Sequence, residues 1–269
     1  MFNASIVLYK PVIRQLAHAV SLLLEVDGLH KLYLIDNSPV QMPDLPVSSE
    51  KLEYVYVGRN LGYGAGNNIA LRKTVEEDIP FHLVLNADVS FNPGDIGRMI
   101  HYMQQHPEVG SMMPKVIYPD GELQYLCKLL PTPLDLFGRR FLPGSWLERR
   151  MNRFELRFTG YSRQMNIPYL SGCFMLLNTM ALKQVGIFDE RFFMYPEDID
   201  LTRRIHRSFL TLFYPEVTIV HHHEKASYKN RKLLWVHIVN ICRYFNKYGW
   251  FCDKERRRVN RATLSSVGK

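Results

Sequence analysis

From Ser5 to Met103 the chain alternates between two hydrophobic periods. Ser5–Tyr9 (SIVLY), Leu32–Ile35 (LYLI), Leu52–Val57 and Phe81–Leu85 are short apolar runs with β-branched and aromatic residues, the signature of buried strands. Val12–Leu24 instead places Ile13, Leu16, Ala17, Val20, Leu23 and Leu24 at helical spacing, and Ile69–Val75 and Ile96–Met103 repeat that period. Strands alternating with helices predict an α/β fold with a single Rossmann-like, mainly parallel sheet flanked by helices. Ligands of such sheets bind beyond the carboxyl ends of the strands. Polar residues collect there: Asp36, Asn60 and Asp88 each follow an apolar strand.

The pattern continues less regularly. Val109–Ile117 predicts a strand, and Leu129–Arg163, with its Pro and Gly pairs and several arginines, predicts a long irregular excursion beside the site. Tyr169–Leu177 (YLSGCFMLL) predicts a strand with a small-residue break at Ser171-Gly172. Leu212–Tyr214 and Val217–Val220 predict short strands running into His221-His222-His223. Asn230–Phe251 predicts a helix with Leu234, Ile238, Ile241, Phe245 and Tyr248 on one face and Arg231, Lys232, Arg243 and Lys247 around it. An ordinary packing helix and an interfacial helix on anionic lipid both fit that pattern.

Composition narrows the class. With 269 residues and 46% hydrophobic content, the chain is long enough for one sizeable domain, or one domain with a small appendage, and nothing in its composition suggests disorder or low complexity. The four cysteines form no CxxC pair, which argues against a zinc site or a disulfide framework and fits a reducing compartment. The start, MFNASIVLYKPVIRQ, lacks the features of a signal peptide, and no run of 18 apolar residues occurs. These features lead to an expectation of a cytoplasmic protein, soluble or peripheral at the inner face of the membrane. The net charge of +8 is uneven: from Lys225 onward there are 12 Lys+Arg against 2 Asp+Glu, and 22 against 24 elsewhere. A basic arm implies an anionic partner: a membrane surface, a pyrophosphate or a nucleic acid.

The chemistry is concentrated in Phe188–Arg204, FDERFFMYPEDIDLTRR. Pro196 can open a helix, which places Glu197 and Asp198 in its first turn. The aromatic residues before them disfavour ionisation, the setting of a general base. Alone, the same residues also describe an acidic helix start. Gly58–Asn68, between strand and helix, suits close backbone approach and a phosphate at a helix N-terminus, though it matches neither GxGxxG with its usual acidic partner nor GxxxxGKS. Its Asn60, Asn67 and Asn68 suggest polar recognition beyond a turn. Asn86-Ala87-Asp88 ends a strand with a carboxylate that could hold Mg2+ or Mn2+. One of the consecutive histidines could complete a metal or phosphate site.

Taken together, IVLYKP, LIDNS, NLGYGAGNN, LNADV, YLSGCFMLL, GIFDERFFMYPEDIDLTRR and VHHHEKAS resemble the family 2 glycosyltransferases of the GT-A fold, in particular rhamnosyltransferase-like bacterial members, in order and over roughly residues 4 to 227. The resemblance implies inverting transfer of a rhamnose-like or other hexose from a dTDP- or UDP-sugar to a hydroxyl of a glycan or polyprenyl-diphosphate-linked acceptor, in surface polysaccharide synthesis such as O-antigen. It implies Asp198 as base, with Glu197 beside it, and a nucleotide site drawn from Asp36, Asn37, Asn60, Gly62, Gly64, Asn67, Asn86, Ala87 and Arg204. Asp88 and His221 would hold Mg2+ or Mn2+, and Arg204 would pair with the block's carboxylates or with phosphate. Asn86 departs from the acidic first position of the DxD-type motif, which leaves one carboxylate there. Tyr9-Lys10 stands where many relatives have Tyr-Asn. The expected layout is a catalytic domain over 1–227 and a basic helical extension over 228–269, with peripheral contact to anionic membrane, no nucleic acid, and room for an oligomer. A sugar nucleotidyltransferase would carry a GxGxRx-type loop with a nearby lysine, which is missing. A non-enzymatic basic nucleic-acid binder would need no acidic block.

Overall fold

The computed structural model describes residues 1–45, 47–137, 144–222 and 231–268, without the side chains of 231–233. His223, the EKAS of VHHHEKAS, the 227/228 boundary and the side chains of Arg231 and Lys232 lie outside the described residues.

Four strands, β1 (Phe2–Leu8), β2 (Leu29–Asp36), β3 (Leu52–Tyr56) and β4 (Phe81–Leu85), pair in parallel in the order β3-β2-β1-β4. Helices α1 (Ile13–Leu24), α2 (Tyr63–Glu76) and α3 (Pro93–Gln105) accompany them. Every residue of β4 is buried, as expected of a strand covered on both faces. Beyond β4 the sheet becomes mixed. β5 (Val89–Ser90) lies at its far edge, and β6 (Val109–Ile117) runs parallel to β11 (Leu210–His221). Between β4 and β6, β10 (Phe174–Asn178) is antiparallel to both.

Several expectations are revised. The two strands expected at 212–220 form one strand, β11, whose register shifts between Tyr214 and Thr218 around Pro215; proline has no N–H for the ladder, so a bulge absorbs it. The strand expected at 169–177 divides at its small residues: Tyr169–Leu170 (β9) pairs with Cys127–Lys128 (β7), and only β10 enters the main sheet. The helix expected after the glycine-rich stretch starts within it, at Tyr63, six residues earlier than the apolar period implied, so Tyr63–Asn68 form the helix's opening turns. The excursion at 129–163 contains α4 (Pro133–Phe137) and α5 (Gly144–Phe154). With Met165 of β8 (Met165–Asn166), it supplies Met151, Phe154, Leu156 and Tyr161 to a second core against Met113 and Phe213.

Helices α6 (Thr179–Val185) and α7 (Pro196–Ile205) cover the sheet near α2, and α8 (Arg231–Tyr248) and α9 (Lys254–Val267) follow. Ile241, Tyr244 and Phe245 of α8 pack with Phe192 and with Ile199 of α7. Arg203 of α7, buried, is gripped by Asp253 through both terminal nitrogens at 2.8 and 2.9 Å and by Glu255 at 2.7 Å. Among the described residues no helix is long and apolar enough to cross a membrane.

Candidate active site

The carboxyl ends of the parallel strands converge with the start of α7, and Gly172-Cys173 joins them. Phe174 pairs with Leu85, so the residues just before β10 lie beside those just after β4. Cys173 C=O accepts Asn86 N–H at 3.0 Å. Gly172 N–H donates to Asp198 Oδ2 at 3.0 Å, and Ile199 N–H to Asp198 Oδ1 at 2.8 Å. A Cβ at position 172 would stand 3.2 Å from the Asp198 Cβ and 3.5 Å from its Oδ2, so glycine permits this approach. Tyr63 O–H donates to Gly172 C=O at 2.7 Å, closing the arrangement from α2.

Asp198 and Glu197 are both buried at the first turn of α7, against Tyr63, Gly64 and Gly172. Burial pushes the Asp198 carboxyl up, and the Gly172 and Ile199 N–H groups oppose that push; the balance is about 6. Glu197 has only its own N–H as a backbone donor. Burial and the neighbouring Asp198 hold its carboxyl well above the usual range, and its Oε2 has no hydrogen-bond partner among the described residues. The turn before them is strained: Tyr195 has φ 87° and ψ −66°, far from where a tyrosine is comfortable, and its ring lies against that of His237 of α8, centroids 4.2 Å apart and planes tilted by 32°. Asn240 of α8 also donates to Met194 C=O at 3.1 Å.

Asp88 stands on the other side of Cys173. Its backbone C=O accepts His222 N–H at 2.9 Å, and its Oδ1 lies 3.3 Å from His221 Nε2. Gln124 fixes this imidazole. Its amide nitrogen donates to His221 C=O at 2.8 Å and Ile117 C=O at 3.3 Å, which turns its oxygen toward His221 Nδ1 at 3.0 Å. The Nδ1 must therefore carry a proton, and Nε2 faces Asp88. Burial would lower this histidine, but the Asp88 carboxylate and Cys173 outweigh it and raise it to about 10. Without a cation, Nε2 therefore keeps its proton toward Asp88; a divalent cation that displaced that proton would meet a carboxylate oxygen and an imidazole nitrogen braced from behind.

The residues expected at the nucleotide differ in placement. Asn60 is exposed, and its Oδ1 accepts Gly62 N–H at 2.9 Å; Asn86 and Ala87 are half-buried at the strand end. Asp36 is buried, with Oδ1 on Ser38 N–H at 2.8 Å and Oδ2 on Tyr54 O–H at 2.6 Å. Asn37 is buried and donates to Gly62 C=O at 3.0 Å. Asn67 lies beneath the surface, bonded to Ser5 O–H at 2.7 Å and Tyr63 C=O at 3.1 Å. Gly62, at φ 88°, sits so close to Phe193 that a Cβ would be 2.1 Å from its carbonyl oxygen, and Gly64 abuts Phe188. The close approach these glycines allow is to the protein's own 188–193 segment. Arg204 takes the first of its two expected partners: it donates to Asp200 at 2.8 Å and to the carbonyls of Val185, Gly186 and Ile187, on the side of α7 away from Asp198. A separate groove of about 620 Å3, lined by Glu190, Arg191, Phe192, Arg243, Asn246 and Lys247, includes none of the expected site residues.

Tyr63, Gln124 and Cys173 were missed as members of the site. Tyr63 was hidden among glycines, Gln124 lies in an aperiodic stretch, and Cys173 reads as one more apolar strand residue.

The model of the family described as glycosyl transferase family 2 matches residues 35–186, more than half of the chain. The chain belongs to that family. Other proteins resemble it over longer stretches. It is 30% identical over 183 residues to the N-acetylglucosaminyl-diphospho-decaprenol L-rhamnosyltransferase of Mycobacterium tuberculosis, covering 61% of this chain and 57% of that protein. It is 27% identical over 219 residues to rhamnosyltransferase WbbL of Escherichia coli K12, covering 78% of this chain and 79% of WbbL. The chain thus spans little more than half of the mycobacterial protein's length. Among solved structures, the mannosyltransferase PcManGT from Pyrobaculum calidifontis, in complex with GDP-Man and Mn2+, superposes with a TM-score of 0.56 at 13% identity, over 99% of this chain and 74% of that one. That likeness establishes the shared GT-A fold. The family match ends before Glu197 and Asp198, so their part in the site rests on the contacts just described.

Proposed function

We propose that this family 2 protein transfers a hexose, of the rhamnose kind, from a dTDP- or UDP-sugar to a hydroxyl with inversion, and that Asp198 is its base. One observation carries the reading: Gly172-Cys173 ties the desolvated, doubly hydrogen-bonded Asp198 carboxylate to the strand end that bears Asp88 and His221. Such a carboxylate, poised near 6, is ionised at neutral pH yet basic enough to accept a proton. As the acceptor oxygen bonds to the anomeric carbon, its proton passes to Asp198 and the bond to the diphosphate oxygen breaks on the opposite face. Asp88 and His221 would hold Mg2+ or Mn2+, which, when bound, offsets the charge that grows on the departing diphosphate. Asn60, Asn86 and Ala87 are the accessible part of the nucleotide site in this reading. Asp36, Asn37, Gly62, Gly64 and Asn67 shape it from beneath, and Arg204 fixes the turn before it.

The names of the relatives in Mycobacterium and Escherichia support a rhamnose-like donor, and the mycobacterial name supports a polyprenyl-diphosphate-linked acceptor. Residues 1–227 are the catalytic unit in this reading, braced by the helices of 228–269. Asp198→Asn should lower turnover about 10²- to 10⁴-fold while leaving donor binding, followed by calorimetry, within about twofold, since no donor contact is assigned to it. Turnover within severalfold of the parent would remove Asp198 from the role.

A further inference from the structure

We propose that α4, α5 and α9 form one docking face for an anionic lipid bilayer, with Trp146, Leu134 and Phe251 entering the interface and a ring of cations on the headgroups. The face concerns where the glycosyl transfer proposed above takes place, so vesicle binding and turnover are separate readouts.

The three helices are neighbours because they dock on the same segment. Leu129 N–H donates to Phe154 C=O at the end of α5 at 3.0 Å. Arg150 of α5 reaches Asp135 and Thr132, both at 2.7 Å. On the other flank, Asn260 of α9 exchanges hydrogen bonds with Leu130 at 2.8 and 2.9 Å, and Arg256 donates to Pro131 C=O at 3.2 Å. Leu147 and Met151 of α5 share one apolar cluster with Leu264 and Val267 of α9. Phe137, ending α4, stacks on Trp250 at 6.5 Å, which sets Phe251 beside α4.

The outward sides are unlike ordinary surface. On α5, Leu147, Met151 and Phe154 point inward, so Trp146, Arg149 and Arg153, spaced i, i+3, i+7, form the outer stripe. Trp146 is 83% exposed, Phe251 74% and Leu134 51%. On α9, Lys254, Arg257 and Arg261 repeat the i, i+3, i+7 spacing, all exposed, on the flank next to Leu264. Arg257 is anchored to Phe251 C=O at 3.1 Å. Little negative charge opposes them: Glu255 is occupied by Arg203 and Arg207, Asp135 by Arg150, and Glu148 is the one acidic residue of α5. Bulky apolar tips within a cationic ring complement an anionic interfacial layer. A nucleic acid would use the cations and the rings but gives Leu134 no role. Arg256, which the basic arm would have offered, is buried and spent on carbonyls of Pro131, Gly249 and Trp250.

The test is sedimentation of the full chain with phosphatidylcholine vesicles, with and without phosphatidylglycerol. Binding should require the anionic lipid and survive in part at high salt. The pair Trp146→Ala with Phe251→Ala, and separately Arg149→Glu with Arg153→Glu, should each weaken it at least about tenfold. Both pairs are exposed, so melting curves and turnover on a soluble acceptor should be unchanged. Trp146 fluorescence should be quenched by brominated acyl chains, and Met180→Ala, also exposed but on α6, should bind like the parent. The proposal fails if neither pair weakens vesicle binding. It fails equally if salt abolishes binding entirely and DNA competes for the same cations. It also fails if the Trp146/Phe251 pair only converts a dimer to a monomer.

Discussion

Asp198 shows how one residue's surroundings set both its chemistry and its cost. Burial raises its carboxyl to about 6, so ionising it in the folded protein is harder than in the unfolded chain. The linkage sign follows: with the folded value above the unfolded one, its contribution to stability is intact below about pH 4 and is lost as pH rises through about 6. Asp198→Asn should therefore be more stable than the parent at pH 8 by on the order of 1–3 kcal/mol, a gap that closes toward pH 4 in urea titrations. The same group gives activity its acid limb: turnover over substrate affinity should rise through about pH 6, and a profile flat from pH 5 to 8 would argue against it. Gln124 acts at one remove. Gln124→Leu should weaken Mn2+ binding about 10- to 100-fold by releasing the His221 ring, read by electron paramagnetic resonance titration with Mn2+ alone. Unchanged affinity would leave Gln124 a purely structural residue.

At the scale of elements, α7 is pinned at both ends. Its first turn is set by Tyr195 and by the contacts of α8, and its last turn by Arg203 in the grip of Asp253 and Glu255. Asp253 also caps α9, accepting Arg256 N–H at 2.8 Å. Asp253→Ala leaves the buried guanidinium with Glu255 as its remaining carboxylate and removes a cap, so about 2–4 kcal/mol of stability should be lost in denaturant titrations. Glu255, partly buried beside Arg207 and Arg203, is held down to about 2 by their guanidinium groups against the desolvation that would raise it. Its stabilisation is present above its unfolded value and disappears as pH falls from about 5 toward 2. Glu255→Gln should flatten acid denaturation in that window. An unchanged acid limb would place the loss elsewhere.

For the molecule as a whole, the C-terminal helices carry structure as well as charge. A chain ending at Gly249 would lose Asp253 and Glu255 together with the α9 contacts to Leu130 and Pro131. Its melting temperature should fall by roughly 6–20 °C, taking 3–5 kcal/mol at 2–4 °C per kcal/mol. A melt within two degrees of the parent, at about half a kcal/mol, would show α9 to be dispensable. Deletion is therefore a poor probe of membrane contact, and the exposed point variants are the informative ones.

The alternating periods determined the parallel half of the sheet and its helices, because a strand buried on both faces and a helix buried on one must write those patterns into the chain. The same logic placed Asp36 and Asp88 at strand ends and Asp198 at a helix start. Tertiary structure alone decided what those residues meet. That Asp36 is satisfied by Tyr54 and Ser38, that Arg204 closes on Asp200 and three carbonyls, and that Gly62 yields to Phe193 all depend on segments far apart in sequence. The antiparallel insertion of β10, which brings Gly172 to Asp198 and Cys173 to Asn86, left only a small-residue break in the pattern. Periodicity records which face of an element is buried; it carries no information about the partner that buries it, and the site is made of those partners.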